Sequence, residues 1–132
     1  MSKSDLELAA ERARANAYAP YSGFRVGAAV LTRSGKIFTG ANVENASLGL
    51  TICAERVAIA AAVCAGEKSL VSIAISTEGI EPAVPCGACR QVISEFNPAI
   101  EISSTTASGK RGEFKLNDLL PRANQGISVK HV

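Results

Sequence analysis

The spacing of apolar residues predicts helices that alternate with short strands. From Asp5 to about Ala17, apolar residues recur at helical intervals, and Ser4 or Asp5 can cap the start of this helix. Residues 57–65 are apolar nearly all round, which predicts a second helix buried on several sides. The predicted helices are Asp5–Ala17, Thr51 or Ile52 to Ala65, Pro85–Phe96 and a helical turn at Leu116–Leu120.

Five apolar or β-branched segments predict strands between these helices. A turn at Arg33-Ser-Gly-Lys joins the first two strands as a hairpin. Because strands and helices alternate, we expect an α/β fold in which helices cover a partly parallel sheet with a hairpin at one edge. No repeat or linker interrupts the pattern, so residues 1–132 are predicted to form a single domain. The predicted strands are Arg25–Thr32, Ile37–Ala41, Leu70–Ser76, Ile100–Thr105 and Gly112–Lys115.

Composition and charge narrow the class of function. The chain has 132 residues, a net charge of +2 and no tryptophan. Nucleic-acid binders carry a concentrated basic face, and single-strand platforms carry several aromatic rings, so we expect no nucleic-acid partner. The longest apolar run, Val57–Ala65, is too short to cross a membrane, and the N-terminus lacks the apolar segment of a signal peptide. The expected location is therefore the cytoplasm, with no membrane partner.

The cysteines give the first indication of chemistry. There are four, and the one histidine, His131, is next to last, so a metal site must use sulfur or carboxylate ligands. Cys53 opens the second predicted helix, and Cys86 and Cys89 open the third with C-x-x-C spacing. In a reducing cytosol, cysteines clustered at helix N-termini are more often metal-binding or catalytic than disulfide-linked. Three thiolates leave the fourth position of a tetrahedral zinc ion open, as in catalytic sites.

Helix geometry excludes the fourth cysteine, Cys64, from this cluster. Cys64 lies near the far end of the same predicted helix as Cys53, about 16 Å away at the rise of an α-helix. We therefore expect Cys64 to be a buried small apolar residue.

Glu55 is the candidate proton carrier, because it lies two residues after Cys53 at the same helix end. Zinc lowers the pKa of a bound water towards about 7, and a nearby carboxylate can take that proton and deliver it to a leaving group. Arg56 and Arg90 directly follow the ligand motifs. Either can donate to a ligand sulfur and offset the negative charge of three thiolates, and Arg56 is favoured.

Each of these features has a simpler interpretation when it is taken alone. A C-x-x-C pair at a helix start also occurs in redox sites and structural zinc sites, and Glu55 is also an ordinary acid of a first helical turn. The conjunction of Cys-Ala-Glu with Pro-Cys-x-x-Cys is more specific, since it is the three-cysteine form of the zinc-deaminase signature.

Five motifs between about Leu6 and Pro121 resemble the small homotetrameric class of zinc-dependent cytidine deaminases. The resemblance implies a three-layer αβα fold around a five-stranded mixed sheet, with zinc as the cofactor. It also implies hydrolysis of cytidine or deoxycytidine to the uridine and ammonia, in pyrimidine salvage, by a homotetramer. The motifs are Ala19-Pro-Tyr-Ser-Gly-Phe-Arg-Val-Gly-Ala-Ala, Asn42-Val-Glu-Asn-Ala-Ser, Cys53-Ala-Glu-Arg, Pro85-Cys-Gly-Ala-Cys-Arg-Gln-Val-Ile and Leu119-Leu-Pro.

The resemblance assigns the chemistry to four residues. Cys53, Cys86 and Cys89 would hold zinc. Glu55 would protonate the ring N3, activate the water and then pass a proton to the departing amine.

The resemblance also assigns five residues to the substrate. Phe24 would pack on the pyrimidine, and Asn42 and Glu44 would hydrogen-bond the ribose hydroxyls. The backbone of Ala54 would bind the base edge, and the carbonyl near Pro85 would meet the amino group. A ribose hydroxyl can donate to a carboxylate and accept from an amide, so this pair fits a sugar. Taken alone, Asn42 is also an ordinary turn residue and Phe24 an ordinary core aromatic.

Two departures from the family pattern leave the exact substrate open. Many members have tyrosine at position 48, where this chain has Leu48, and phenylalanine at position 124, where it has Asn124. That phenylalanine reaches into a neighbouring subunit's site. The alternative function is a sibling deaminase for a modified cytosine nucleoside such as blasticidin S, although the motif that begins at Asn42 favours the cytidine enzymes. The intact Glu55 argues against a silent zinc module, and the low net charge argues against a polynucleotide editor.

Overall fold

The computed structural model describes residues 3–123, and these build one five-stranded sheet with helices on both faces. No described helix combines the length and the apolar character that crossing a membrane requires. The elements in chain order are α1 (Asp5–Arg14), β1 (Val26–Thr32), β2 (Ile37–Ala41), a 3-10 turn (Leu48–Leu50), α2 (Ala54–Cys64), β3 (Leu70–Thr77), α3 (Gly87–Phe96), β4 (Glu101–Thr106), β5 (Arg111–Lys115) and α4 (Leu116–Leu119).

The sheet has the strand order β2-β1-β3-β4-β5 and is mixed. Strand β1 pairs antiparallel with β2 and β3, β3 runs parallel to β4, and β4 pairs antiparallel with β5. The predicted α/β fold, its mixed five-stranded sheet and its edge hairpin are thus confirmed. Val26 at the start of β1 lies opposite Thr77 at the end of β3, so the loop before β1 and the loop after β3 leave the same end of the sheet.

Helices cover the two faces of the sheet unequally. Helix α1 packs on one face, where Ala10 meets Ala29 of β1 and Ala74 of β3. Helices α2 and α3 cover the other face over the larger apolar cluster. Two glycines in the strands allow helices α1 and α2 to pack closely against the sheet. A Cβ at Gly27 would lie 2.1 Å from the carbonyl oxygen of Ala10, and a Cβ at Gly40 would lie 2.4 Å from the α2 backbone.

The N-terminal ends of α2 and α3 differ from the prediction in a way that matters for the site. Helix α2 begins at Ala54 because Ile52 is still extended and pairs with Val43. Cys53 and Cys86 are the N-cap residues of the two helices and have extended backbone conformations. Their side chains therefore lie at the helix ends and not within the helices.

The structure corrects two expectations about α2. Only one face of the helix is buried, whereas burial on several sides was predicted. Cys64 lies away from that face and is exposed, so the prediction of a buried small residue was wrong. The exposed residues of the helix, Ala60 and Cys64, are small, so their apolar area costs little free energy in water. The buried residues of α2 are Ala54, Glu55, Ala58, Ile59 and Ala62.

An ion pair between the buried Glu7 and the half-exposed Arg111 joins α1 to the edge strand β5. Helix α1 ends at Arg14, three residues before the predicted Ala17. One carboxylate oxygen of Glu7 accepts a 2.9 Å hydrogen bond from the Ser4 amide, in a capping box. The other accepts a 2.7 Å bond from Nε of Arg111. Burial raises the pKa of Glu7, but the hydrogen bonds from Ser4 and Arg111 outweigh it and bring that pKa below its ordinary value.

We expect Glu7→Gln to lower the free energy of unfolding by about 1–3 kcal/mol at pH 7, because the Ser4 amide and the Arg111 guanidinium lose a buried, charged acceptor. A carboxylate whose pKa is lowered by folding stabilises the protein above its unfolded pKa, and this contribution is lost as the pH falls through the folded value. The deficit of the variant should therefore shrink below about pH 4.3, the ordinary glutamate value. Urea unfolding of the wild-type and variant proteins between pH 7 and pH 3 measures this difference in the free energy of unfolding.

Glu113→Gln is the matched control for this prediction. Glu113 also pairs with Arg111, at 2.7 Å, but 70% of its side chain is exposed. Its loss should cost less than about 1 kcal/mol, as for other surface pairs. Equal destabilisation by the two substitutions would refute a special contribution from the buried carboxylate.

Candidate active site

Three cysteine side chains converge where the N-termini of α2 and α3 meet. The side chains of the N-cap residues Cys53 and Cys86 make no capping hydrogen bond to their helices. Cys89 lies in the first turn of α3 and is fully buried. The three Sγ atoms lie within 4.8 Å of one another. The fold therefore brings the three predicted ligands together.

This donor set fits a zinc ion. The cysteines are free thiols, and the Sγ atoms of Cys53 and Cys86 are 3.8 Å apart. Two sulfur atoms bound to one tetrahedral zinc at about 2.3 Å are separated by about 3.8 Å, which matches this distance. Three protein ligands, and not four, is the number found in catalytic zinc sites. The cluster therefore has the ligands and the spacing that zinc requires as a cofactor.

Arg56 brings positive charge to the cluster. Its Nη2 atom donates to Sγ of Cys53 at 3.4 Å and approaches the carbonyl oxygen of Thr51 at 3.5 Å. Hydrogen bonds from Cys89 and from Arg56 hold the pKa of Cys53 well below its ordinary value. The positive end of a helix favours the thiolate in the same sense. Arg56 thus makes the kind of sulfur contact that was predicted for it.

Glu55 lies beside the cluster in the first turn of α2. Its side chain is buried, with 5% of the residue exposed. Burial raises the pKa of Glu55, and the negative charge of the neighbouring Cys53 raises it further. A raised pKa brings a carboxyl group closer to the pH at which it must both accept and donate a proton. This is the property that the predicted proton carrier requires.

Arg90 contacts backbone carbonyl oxygens. Its Nε atom donates to the carbonyl oxygen of Pro85 at 2.7 Å, and its Nη1 atom donates to that of Leu119 at 3.2 Å. Arg56 and Arg90 were the two candidates for a contact with a ligand sulfur, and Arg56 makes that contact. A helical side chain points back towards the N-terminus of its helix, which directs Arg90 to the residue before Cys86. Arg90 therefore ties the segment that precedes α3 to α4.

The side chain of Asn42 is bound to the backbone that carries Phe24. Its Nδ2 atom donates to the carbonyl oxygen of Phe24, and its Oδ1 atom accepts from the amide of Val26, both at 2.9 Å. One amide hydrogen and one lone pair stay available for a ligand. The ribose contact of Asn42 stays a prediction, and in the structure this residue positions the Phe24 loop.

Glu44 anchors the other side of the same loop. Its carboxylate accepts hydrogen bonds from the amides of Tyr21 and Ser22 and from the Ser22 hydroxyl, and that hydroxyl is the main reason why the pKa of Glu44 is lowered. The Ser22 hydroxyl in turn accepts from the Phe24 amide at 3.0 Å. Ser22 was not singled out from the sequence, although a serine two residues before an aromatic in a turn can make this contact. The ribose contact of Glu44 also stays a prediction.

The remaining predicted positions occupy different parts of the site region. Phe24 is 42% exposed, so its ring is accessible and not a core aromatic. Ala54 is the first residue of α2 and is buried. Leu48 is exposed in the 3-10 turn. Asn124 and His131 lie outside the described residues.

A family model matches most of the chain. The model describes the cytidine and deoxycytidylate deaminase zinc-binding region, and it matches residues 2–103. This range contains the three clustered cysteines and Glu55.

Individual relatives agree with this match along nearly the whole chain. A cytidine deaminase of Halalkalibacterium halodurans is 44% identical over 124 residues, which cover 93% of this chain and 94% of that protein. A cytidine deaminase of Mycobacterium tuberculosis is 41% identical over 114 residues, or 86% of this chain and 83% of that one. The crystal structure of cytidine deaminase from Burkholderia pseudomallei superposes with a TM-score of 0.87 at 48% identity, covering 92% of this chain and 98% of that one. The chain therefore belongs to the cytidine and deoxycytidylate deaminase family.

Proposed function

We propose that this protein hydrolyses cytidine and deoxycytidine to uridine and deoxyuridine with release of ammonia. The observation that carries the proposal is the buried carboxyl group of Glu55 beside a cluster of three cysteines, in a chain of this family. Burying an ionisable group is costly. A zinc protein without catalytic activity gains nothing from that cost at this position, whereas a deaminase needs the carboxyl group there.

The proposed chemistry divides between the metal and Glu55. Cys53, Cys86 and Cys89 would hold zinc, which supplies the Lewis acidity that makes water nucleophilic at neutral pH. Glu55 transfers the first proton of that water to the ring N3 and the second to the amino nitrogen. The water oxygen forms a bond to C4, the bond from C4 to the amino nitrogen breaks, and ammonia leaves. Glu55 ends in its starting protonation state, so the step balances.

The arginines that flank the site favour a nucleoside over a nucleotide. Arg25 pairs with Glu78, Arg56 contacts Cys53, and the guanidinium of Arg90 binds two carbonyl oxygens. Arg25 and Arg56 thus face a carboxylate and a sulfur, and backbone carbonyl oxygens hold Arg90 in place, so none of the three guanidinium groups stands free to bind a phosphate group. The proposed contacts with the nucleoside are those of Phe24, Asn42, Glu44, the Ala54 backbone and the carbonyl near Pro85.

Purified protein tests the proposal directly. We expect about one zinc per chain, and conversion of cytidine and deoxycytidine that is followed by the loss of cytidine absorbance. Cytosine, deoxycytidylate, substituted cytidines and blasticidin S complete the substrate panel. Turnover of only the substituted compounds or blasticidin S would favour the sibling deaminase, and turnover of none would contradict the proposal.

We further propose that the protein is a cytoplasmic homotetramer that acts in pyrimidine salvage. Free thiols in the metal cluster suit a reducing compartment. Several large apolar side chains are exposed in the loops around the site, and exposed apolar patches commonly mark subunit contacts. Light scattering is expected to give the mass of four chains. These side chains include Tyr18, Tyr21, Leu48, Leu50 and Ile80.

A further inference from the structure

Two loops at the same end of the sheet are joined by an ion pair that the proposed chemistry does not use. Nε and Nη2 of Arg25 donate to the two carboxylate oxygens of Glu78 at 3.1 and 3.0 Å. The pairing of Val26 with Thr77 accounts for this contact, because the next residue outward on each strand is Arg25 and Glu78. Two parallel hydrogen bonds fix the relative orientation of the groups, which a single contact does not.

The ion pair flanks the residue that is proposed to contact the base. Phe24 precedes Arg25, and Gly79 follows Glu78. A Cβ placed on Gly79 would lie 3.4 Å from the edge of the Phe24 ring, so the ring lies close to the backbone of the second loop. The backbone of Phe24 is fixed on its other side, where its carbonyl oxygen accepts from Asn42 and its amide donates to Ser22.

The second loop leads directly to the metal cluster. Residues 78–84 connect the end of β3 to Pro85 and Cys86. The same loop is held at a second point, where Glu81 accepts a 2.7 Å bond from Lys110 in the turn between β4 and β5. The Arg25–Glu78 pair is therefore the charged contact that connects the Phe24 loop to the segment that carries a ligand cysteine.

We propose that Arg25 and Glu78 are positioning residues that hold the Phe24 ring at a fixed place relative to the metal cluster and thereby set the affinity for the pyrimidine. This inference rests on the proposed function. The pair acts through Phe24 and does not touch the reacting atoms. Its loss should therefore raise KM for cytidine, while kcat and zinc content change little.

Glu78→Gln tests the inference, with Glu81→Gln as the matched control on the same loop. We expect Glu78→Gln to raise KM about two- to fivefold, the size that a partly exposed pair supports, with kcat and zinc content within about twofold of wild type. Glu81→Gln should leave KM unchanged, because its partner Lys110 is remote from Phe24 in the described contacts. The exchanged pair Arg25→Glu with Glu78→Arg should recover most of the wild-type KM.

Salt supplies a readout that general loss of stability would not reproduce. Cytidine is uncharged, so its own binding carries no direct salt dependence. The Debye length falls from about 10 Å at 0.1 M salt to about 3 Å at 1 M, which screens an exposed ion pair. KM of the wild-type protein should rise towards that of Glu78→Gln as salt increases, while KM of the variant stays constant.

A fluorescent reporter separates the inference from the proposed function. The protein has no tryptophan, so Phe24→Trp places a single indole at this position. Adding Glu78→Gln to that variant should increase acrylamide quenching about 1.5-fold or more, without any substrate present. Inactive wild-type protein would refute the proposed function alone. Equal quenching with and without Glu78, or equal KM changes for Glu78→Gln and Glu81→Gln, would overturn the inference.

Discussion

Replacing Glu55 with glutamine is expected to lower kcat for cytidine by about 100-fold or more, while the fold and the zinc content stay intact. Glutamine has nearly the same shape as glutamate but cannot carry the proton from water to N3 and to the leaving amine. Glu55 is not one of the three sulfur ligands, so the substitution leaves the metal-binding set complete. Steady-state kinetics, metal analysis and circular dichroism measure the three quantities on the same preparations.

The control for this prediction is Glu101→Gln, which changes an exposed glutamate at the start of β4. That substitution should leave kcat and KM close to wild type. A Glu55→Gln protein that retains most of its kcat would show that another group carries the proton. Loss of zinc from Glu55→Gln, but not from Glu101→Gln, would instead give Glu55 a structural part in holding the metal.

The metal cluster was predictable because each of its parts is a local feature of the sequence. Cys53, Cys86 and Cys89 lie at helix starts, where the positive end of the helix dipole favours thiolates. Glu55 is two residues from a ligand, so its proximity to the metal follows from sequence spacing alone. The alternation of strands and helices determined the layers of the fold in the same way.

What the sequence pattern could not decide is the direction in which side chains point. Arg90 follows Cys89 in sequence, yet its guanidinium turns back to the carbonyl oxygen of Pro85. Cys64 belongs to an apolar helix, yet it lies on the face that the sheet does not cover. The spacing of apolar residues predicts a helix, but which face of that helix is buried depends on where the sheet lies.

Contacts between distant segments were beyond the reach of sequence patterns. The Arg25–Glu78 pair depends on the register between β1 and β3, and one sequence does not fix that register. The two hydrogen bonds of Asn42 to the Phe24 loop likewise depend on how β2 returns beside β1. Asn42, which the resemblance assigns to the ribose, therefore also holds the backbone of the Phe24 loop in place.

Removing one ligand cysteine has the other large expected effect. Cys53→Ala should weaken zinc binding by more than about 100-fold, since changing even a group that supports a ligand costs 10- to 100-fold. The substitution leaves two sulfur atoms, Cys86 and Cys89, which cannot complete the three-ligand site. It also removes one of the sulfur partners of Arg56. Cytidine turnover should fall with the zinc content, as measured by metal analysis after dialysis against a competing chelator.

Cys64→Ala is the matched control, because Cys64 is exposed at the far end of the same helix as Cys53 and lies outside the cluster. This variant should keep about one zinc per chain and wild-type turnover. Cys86→Ala should behave like Cys53→Ala, because the two N-cap sulfur atoms lie 3.8 Å apart and serve the same metal. Full zinc retention by Cys53→Ala would remove Cys53 from the ligand set. Zinc loss from Cys64→Ala would show that zinc binding also requires a cysteine outside the cluster at the two helix ends.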